Sequence, residues 1–181
     1  MTRAITKILS VLIMTGLCGY ASAQDGGATI ITKAEADAVL QQGLANLAKG
    51  SAVSDIVVRH IDAGEEFVGV SVVQRAKVTF TGTHTGIAHP TLDETYYIVA
   101  GSGTMVTGGE FANKQSSVSD LLGPMERGEI RGGVLQFVEP GDIAIIPKGM
   151  PHGWHEMDTD TISYIIFRGD PDKVMQEKYT P

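Results

Sequence analysis

The chain has 181 residues, with 14 lysines and arginines against 21 aspartates and glutamates, and a net charge of -7 at pH 7. So acidic a chain is a poor partner for nucleic acid, because its own charge repels the phosphate backbone. A single cysteine, Cys18, excludes an internal disulfide, so stability has to come from the hydrophobic core or from a bound metal. The length suits one domain with a sizeable core.

Residues 1–23 are predicted to be a secretory signal peptide. Two basic residues lead into an apolar run from Ile8 to Leu17, and Ala-Ser-Ala at 21–23 forms an A-x-A cleavage site. The run is too short to cross a bilayer, which needs about 20 apolar residues. A lipid anchor on Cys18 is the alternative, but the bulky Leu17 before it makes a poor lipoprotein junction. We therefore expect an exported protein, periplasmic or secreted, with no membrane span.

One helix is predicted near the start of the mature chain, after a leader at 24–31. Thr32 and Glu35 form a T-x-x-E capping box, and Gly50 provides a stop signal. Between them, apolar residues recur at helical spacing at Ala36, Leu40, Leu44 and Leu47. The pattern indicates an amphipathic helix of about four turns that covers one face or edge of a sheet.

The rest of the chain has the composition of short strands. Stretches rich in β-branched residues, bounded by Gly and Asp, lie at 56–61, 67–73, 77–80, 94–100, 103–107, 133–138, 142–147 and 161–168. Many short strands without a second helical block favour an all-β sandwich or barrel. We divide the chain into a signal peptide (1–23), a leader with the helix (24–54) and a β domain (55–181).

Residues 108–132 are rich in Gly and Ser and show little periodicity. A loop of this length inside a compact domain is usually a lid or a binding loop, unless it is simply mobile. We predict an irregular loop here and leave open whether it lies at the mouth of a site.

Two stretches, 89–103 and 141–155, carry the candidate chemistry. Side chains alternate along a strand, so Glu94, Tyr96 and Ile98 share one face. A carboxylate on an apolar barrel face is costly unless something pairs with it. His89 could lie beside Glu94 across a turn, and His152 emerges from a turn after the later strand. Two imidazoles and one carboxylate from neighbouring strands would make a metal site.

The sequence resembles the cupin superfamily. The family's two motifs are matched at fixed spacings by His89, Glu94 and Gly101, and by Gly141, Pro147, Gly149 and His152. The likeness covers roughly residues 66–168. It implies an all-β double-stranded β-helix barrel, often a homodimer, with a divalent metal inside one end and a small-molecule ligand or substrate.

Two positions depart from the family pattern. Ile87 stands where the first motif has its first histidine, and Glu156 stands where the second has an asparagine. His89, Glu94 and His152 then form a two-histidine, one-carboxylate set, which suits Fe(II), with Mn, Zn or Ni as alternatives. His84 is an alternative source of the missing imidazole, although its spacing from His89 differs from the family's. Glu94 is also the candidate catalytic residue.

Other residues are weaker candidates. Either Gln74 or Arg75 could orient a polar or anionic substrate, depending on which one points inward. We expect His155 to lie beside the metal ligands or at the surface, and His60 at the surface. The cavity-lining candidates, each also a candidate for ordinary core packing, are Tyr96, Met105, Phe137, Trp154 and Tyr164.

Three functions fit these residues, because the fold hosts many unrelated chemistries. The first is a metal-dependent enzyme of oxygenase, decarboxylase, lyase or isomerase type that acts on a small molecule. The alternative is a non-catalytic cupin that binds a small molecule or sugar. The third is a mainly structural, dimeric protein of the cell envelope.

Overall fold

The structure, a computed structural model, describes residues 27–175. The predicted signal peptide lies outside the described residues. One helix, α1 (Lys33–Ala48), precedes the strands, and no described helix is long and apolar enough to cross a membrane. The strands are β1 (Val53–Asp62), β2 (Phe67–Ala76), β3 (Thr85–Ala88), β4 (Asp93–Ala100), β5 (Gly103–Thr107), β6 (Glu110–Ser119), β7 (Gly123–Arg131), β8 (Val134–Val138), β9 (Ile143–Ile146), β10 (His152–Met157) and β11 (Thr161–Asp170).

These strands form two antiparallel sheets with the core between them. The five-stranded sheet has the order β1-β2-β11-β4-β9, and the six-stranded sheet has the order β6-β7-β3-β10-β5-β8. The main core draws Tyr96, Ile98 and Tyr164 from the first sheet and Met105 and Trp154 from the second. The all-β barrel with an N-terminal helix is therefore confirmed.

The helix begins as the capping box predicts. The Thr32 side chain accepts from the Glu35 N–H at 3.2 Å, and the Glu35 carboxylate accepts from the Thr32 N–H at 2.9 Å. Gly43 is the buried helix residue, and a Cβ there would lie 1.5 Å from Gln74 Oε1 on β2. The absence of a side chain at position 43 therefore allows the helix to pack closely on the outer side of the five-stranded sheet.

The prediction of a strand at 77–80 is wrong. The chain there makes single backbone hydrogen bonds instead of a ladder: Lys77 N–H donates to Asp160 at 2.9 Å, and Val78 accepts from Met157 N–H at 2.9 Å. The β-branched composition is satisfied by the partial burial of Val78 against the core. Two short strands, β3 and β10, form without having been predicted.

The prediction of an irregular loop at 108–132 is also wrong. Residues 110–131 form the β6–β7 hairpin, which pairs through β7 with β3. The edge strand β6 is largely exposed and polar, with Lys114 bonded to Glu126 at 2.7 Å. Backbone pairing and polar side-chain contacts hold such a strand, so it shows none of the apolar alternation by which strands are recognised.

Candidate metal centre

Three segments bring the predicted ligands together. Glu94 is the second residue of β4, and its alternation partners Tyr96 and Ile98 are buried with it. His89 lies in the turn before β4, where its carbonyl accepts from the Gly149 N–H at 2.8 Å. His152 begins β10, opposite Ile87 on β3. The turn that ends at His152 is thus tied directly to the turn that carries His89.

The three side chains are buried and close to one another. His89, Glu94 and His152 are 2%, 1% and 3% exposed, and one ligand atom from each lies within 4.8 Å of the others. His89 Nε2 is 3.7 Å from Glu94 Oε1, and His152 Nε2 is 3.3 Å from Glu94 Oε2. Within the described residues, this is the only group of three or more His, Cys, Asp or Glu that could hold a metal ion.

The single hydrogen bond of His152 and the unpartnered ring nitrogens of both histidines fit a bound cation. His152 Nδ1 lies 3.0 Å from the Met150 carbonyl, an acceptor only, so Nδ1 carries the proton and the Nε2 lone pair faces Glu94. Among the described residues, His152 Nε2 and both ring nitrogens of His89 have no hydrogen-bond partner. Burial lowers the pKa of His89 to about 4, against the opposing pull of Glu94. Lone pairs beside a buried carboxylate are the donor set of a divalent metal.

Arg168 is a neighbour of this group that the sequence analysis did not single out. It is 2% exposed and donates from Nε to Glu94 Oε1 at 2.8 Å, from Nη1 to Ser71 Oγ at 2.7 Å and from Nη2 to Asp55 Oδ2 at 2.6 Å. Burial by itself would raise the pKa of the Glu94 carboxyl, but the Arg168 guanidinium, together with the nearby imidazoles of His152 and His89, holds that pKa well below its usual range. Side-chain alternation along β11 could have shown that Arg168 points inward, since it shares a strand face with the buried residues Tyr164 and Ile166.

Tyr96 completes the surroundings of the carboxylate. Its hydroxyl donates to Glu94 Oε2 at 2.9 Å, and its ring stacks on Tyr164 with centroids 4.8 Å apart. Burial, together with the charge of Glu94, raises the pKa of Tyr96 well above its usual value. The phenol therefore remains a hydrogen-bond donor at physiological pH.

A cavity of about 440 Å³ borders this group at His152. His152 and Ile87 lie in its wall, and so do four of the predicted lining residues, Tyr96, Met105, Trp154 and Tyr164. Phe137 does not line this cavity: it lies on edge strand β8, is 53% exposed and borders a second hollow of about 340 Å³ instead. The β6–β7 hairpin contributes polar lining from Asn113, Gln115, Arg127 and Glu129.

The structure decides between the two β2 candidates. Arg75 lies in the cavity wall, whereas Gln74 points the other way, toward Gly43 of the helix. Adjacent strand residues face opposite sides, so only one of the two can reach a ligand.

The remaining histidines lie apart from the group. His84 Nε2 is 2.8 Å from His155 Nδ1, and both rings contact Phe80. The structure therefore does not bring His84 to Glu94 as a fourth ligand. His60 packs its ring against Phe67, with centroids 5.1 Å apart, so it is half-buried and the expectation of a surface position is wrong.

Several solved structures resemble this backbone at low identity. A protein from Bacillus halodurans is 15% identical, covering 81% of this chain and 85% of its own, with a TM-score of 0.46. An uncharacterized conserved protein with a double-stranded beta-helix domain from Klebsiella pneumoniae is 15% identical, covering 69% and 82%, with a TM-score of 0.43. KdgF from Halomonas is 16% identical, covering 67% and 82%, with a TM-score of 0.37. No family model and no curated protein matches the sequence.

The strand order and the positions of the motif residues fit the barrel that the motif spacing predicted. Both motifs lie at turns and strand starts that converge inside one end of a barrel built from two antiparallel sheets. The chain therefore has a double-stranded β-helix fold, the fold that its resemblance to the cupin superfamily implied.

Proposed function

We propose that this chain is a metal-dependent enzyme that acts on a small molecule in the barrel cavity. The observation that carries the proposal is the orientation of His152, whose Nδ1 is engaged by the Met150 carbonyl while Nε2 faces a buried carboxylate. His89, Glu94 and His152 would hold the metal. Fe(II) suits this donor set, with Mn, Zn and Ni as alternatives.

When bound, the metal would supply a Lewis acid or, as iron, a centre for dioxygen chemistry, consistent with an oxygenase, decarboxylase, lyase or isomerase. The residues of the chain would prepare the site for that chemistry. Arg168 keeps Glu94 ionised and oriented, and the Tyr96 hydroxyl donates a hydrogen bond to the other carboxylate oxygen. Ile87 occupies the place of the family's further histidine, which leaves the ligand set one imidazole short. The apolar walls around Tyr164 and Trp154 would exclude water from a bound substrate.

Metal analysis tests this proposal. The untagged full chain should hold about one metal ion per chain after titration with Fe(II), Mn or Zn, measured by mass spectrometry after dialysis. His89→Ala and His152→Ala should lose it. His84→Ala is the matched control, since it removes a partly buried imidazole outside the group and should keep the metal. A wild type without metal under all three titrations would refute the proposal.

A second candidate is a cupin that binds a small molecule or sugar without catalysis. It is favoured by the hydrogen bonds from Arg168 and Tyr96, which engage both oxygens of Glu94. Glu94→Gln separates the two candidates. An enzyme should lose turnover in this variant, whereas a binding protein should show no turnover in the wild type with any substrate that it retains.

Two further expectations belong to the proposal. Export predicts that protein from the periplasmic fraction begins at Gln24, which N-terminal sequencing would establish. A homodimer is supported by the outer face of the five-stranded sheet, where Ile143, Ile145 and Phe167 are 64%, 73% and 47% exposed. Light scattering on the wild type and on Ile145→Lys would test it, with a monomer expected for the variant.

A further inference from the structure

The cavity contains a positive charge that the metal ligands do not use. Arg75 lies in the cavity wall, on the inward side of β2 that it shares with Val73 and Ser71. Ser71 accepts a hydrogen bond from Arg168, which also bonds Glu94, so Ser71 lies at the same height in the barrel as the candidate metal ligands. Four residues along a strand span roughly 13 Å, which places the backbone of Arg75 well away from that level.

The two inward arginines differ in their partners. Arg168 is paired with the carboxylates of Glu94 and Asp55. Arg75 forms no ion pair with any residue of the described range 27–175, and its buried Nε has no hydrogen-bond partner there. Burial opposes its charge, but the neighbouring Tyr164 hydroxyl, which hydrogen-bonds the guanidinium, contributes to a pKa of Arg75 above the usual value. A charged guanidinium in a cavity that keeps a buried N–H without a partner is a site for an anion.

The other residues of the cavity wall indicate the chemical character of the rest of such a ligand. Tyr96 stacks on Tyr164, and Trp154 lies against Tyr164 with ring centroids 6.0 Å apart, which makes this part of the wall aromatic. The carboxylate of Glu129 lines the mouth, where it pairs with Arg131 at 3.4 Å. A second cation, Arg127, lies at the same mouth and is exposed.

We propose that the ligand of this protein is a small organic acid whose carboxylate binds Arg75 and whose apolar body lies against the Tyr96, Tyr164 and Trp154 rings. The planar guanidinium matches a carboxylate through two parallel hydrogen bonds. The end of the acid remote from Arg75 then points toward His152, where it would meet the proposed metal. Only this encounter with the metal rests on the proposed function, because binding of the acid at Arg75 requires no metal.

Calorimetric titration of the full chain with matched acids and amides tests the assignment. Benzoate and hexanoate are the probes, and benzamide and hexanamide are their neutral counterparts of similar shape. The wild type should bind each acid about tenfold or more tightly than its amide, as expected for a charge-assisted hydrogen-bonded pair. Arg75→Gln should abolish this preference, and Arg75→Lys should keep part of it, because lysine retains the charge without the planar fork.

Lys77→Gln is the matched control. It removes an exposed cation two residues further along, outside the cavity wall, and should bind the acids like the wild type. Arg127→Gln should weaken acid binding less than Arg75→Gln, because water screens a charge at the mouth. Circular dichroism checks that each variant folds, and Arg75→Met provides a second neutral variant of similar length.

The outcomes separate this inference from the proposed function. An unchanged acid preference in Arg75→Gln and Arg75→Met would overturn the assignment, and so would a wild type that binds neither acid. Metal content should be the same in Arg75→Gln and wild type. Arg75-dependent acid binding in a protein that takes up no metal would refute the proposed enzyme and leave the acid site standing.

Discussion

Replacing Arg168 by methionine tests the charge balance around Glu94. Methionine keeps an unbranched apolar stem but removes the cation that bonds Glu94, Ser71 and Asp55. Glu94 is 1% exposed, so it would stay buried without its partner. Breaking a buried ion pair from one side costs about 3–5 kcal/mol. At about 2–4 °C per kcal/mol for a domain of this size, Arg168→Met should lower the unfolding temperature by roughly 6–20 °C.

The assay is thermal and urea unfolding with and without divalent metal. Added metal should raise the stability of Arg168→Met more than that of the wild type, because a cation bound by Glu94 replaces part of the lost charge. Arg168→Met with Glu94→Gln should recover part of the stability, since the charge of Glu94 is then gone while Asp55 still lacks its partner. Arg131→Met, which alters an exposed pair with Glu129, should change stability by less than about 0.5 kcal/mol. A loss below about 1 kcal/mol in Arg168→Met would refute the reasoning.

Three other predictions concern the helix and its neighbours. Gly43→Ala should destabilise the fold by about 1–3 kcal/mol, because the added methyl group overpacks against Gln74. Adding Gln74→Ala should relieve this loss of stability. If the losses of the two single variants simply add in urea unfolding, the contact is contradicted. Thr32→Ala should cost about 1 kcal/mol and Thr32→Ser almost nothing, and equal melting temperatures for both variants would argue against the cap. Burial lowers the pKa of His60 from its usual 6.5, so the unfolded chain binds this proton first and stability falls as the pH drops below that value. His60→Gln should therefore show a flatter dependence of melting temperature on pH between about 7 and 5, and an unchanged slope would exclude this role.

Local patterns predicted the parts of the fold that depend on neighbouring residues. The capping box requires only Thr32 and Glu35, three positions apart, and it forms as predicted. Most strands with apolar alternation were also recognised, because their alternation reflects one buried face. The β6–β7 hairpin was not, since β6 is an edge strand with few buried side chains and carries no such signal.

The candidate site shows the same division. Motif spacing identified His89, Glu94 and His152, and alternation along β4 placed Glu94 on the inward face. Alternation along β11 also places Arg168 on the inward face, but it does not show that Arg168 pairs with Glu94. Arg168 reaches it only because β11 lies beside β4 with these two residues directly opposite each other.

The sequence by itself determined the fold class, the helix and the three residues that could hold a metal, because each depends on residue type and short spacing. The tertiary structure decided that Arg168 neutralises Glu94, that Arg75 and not Gln74 lines the cavity, and that His84 pairs with His155. These contacts join residues far apart in the chain, and they depend on strand order and register. Many side chains along the chain contribute to that register, so no short stretch of sequence encodes it.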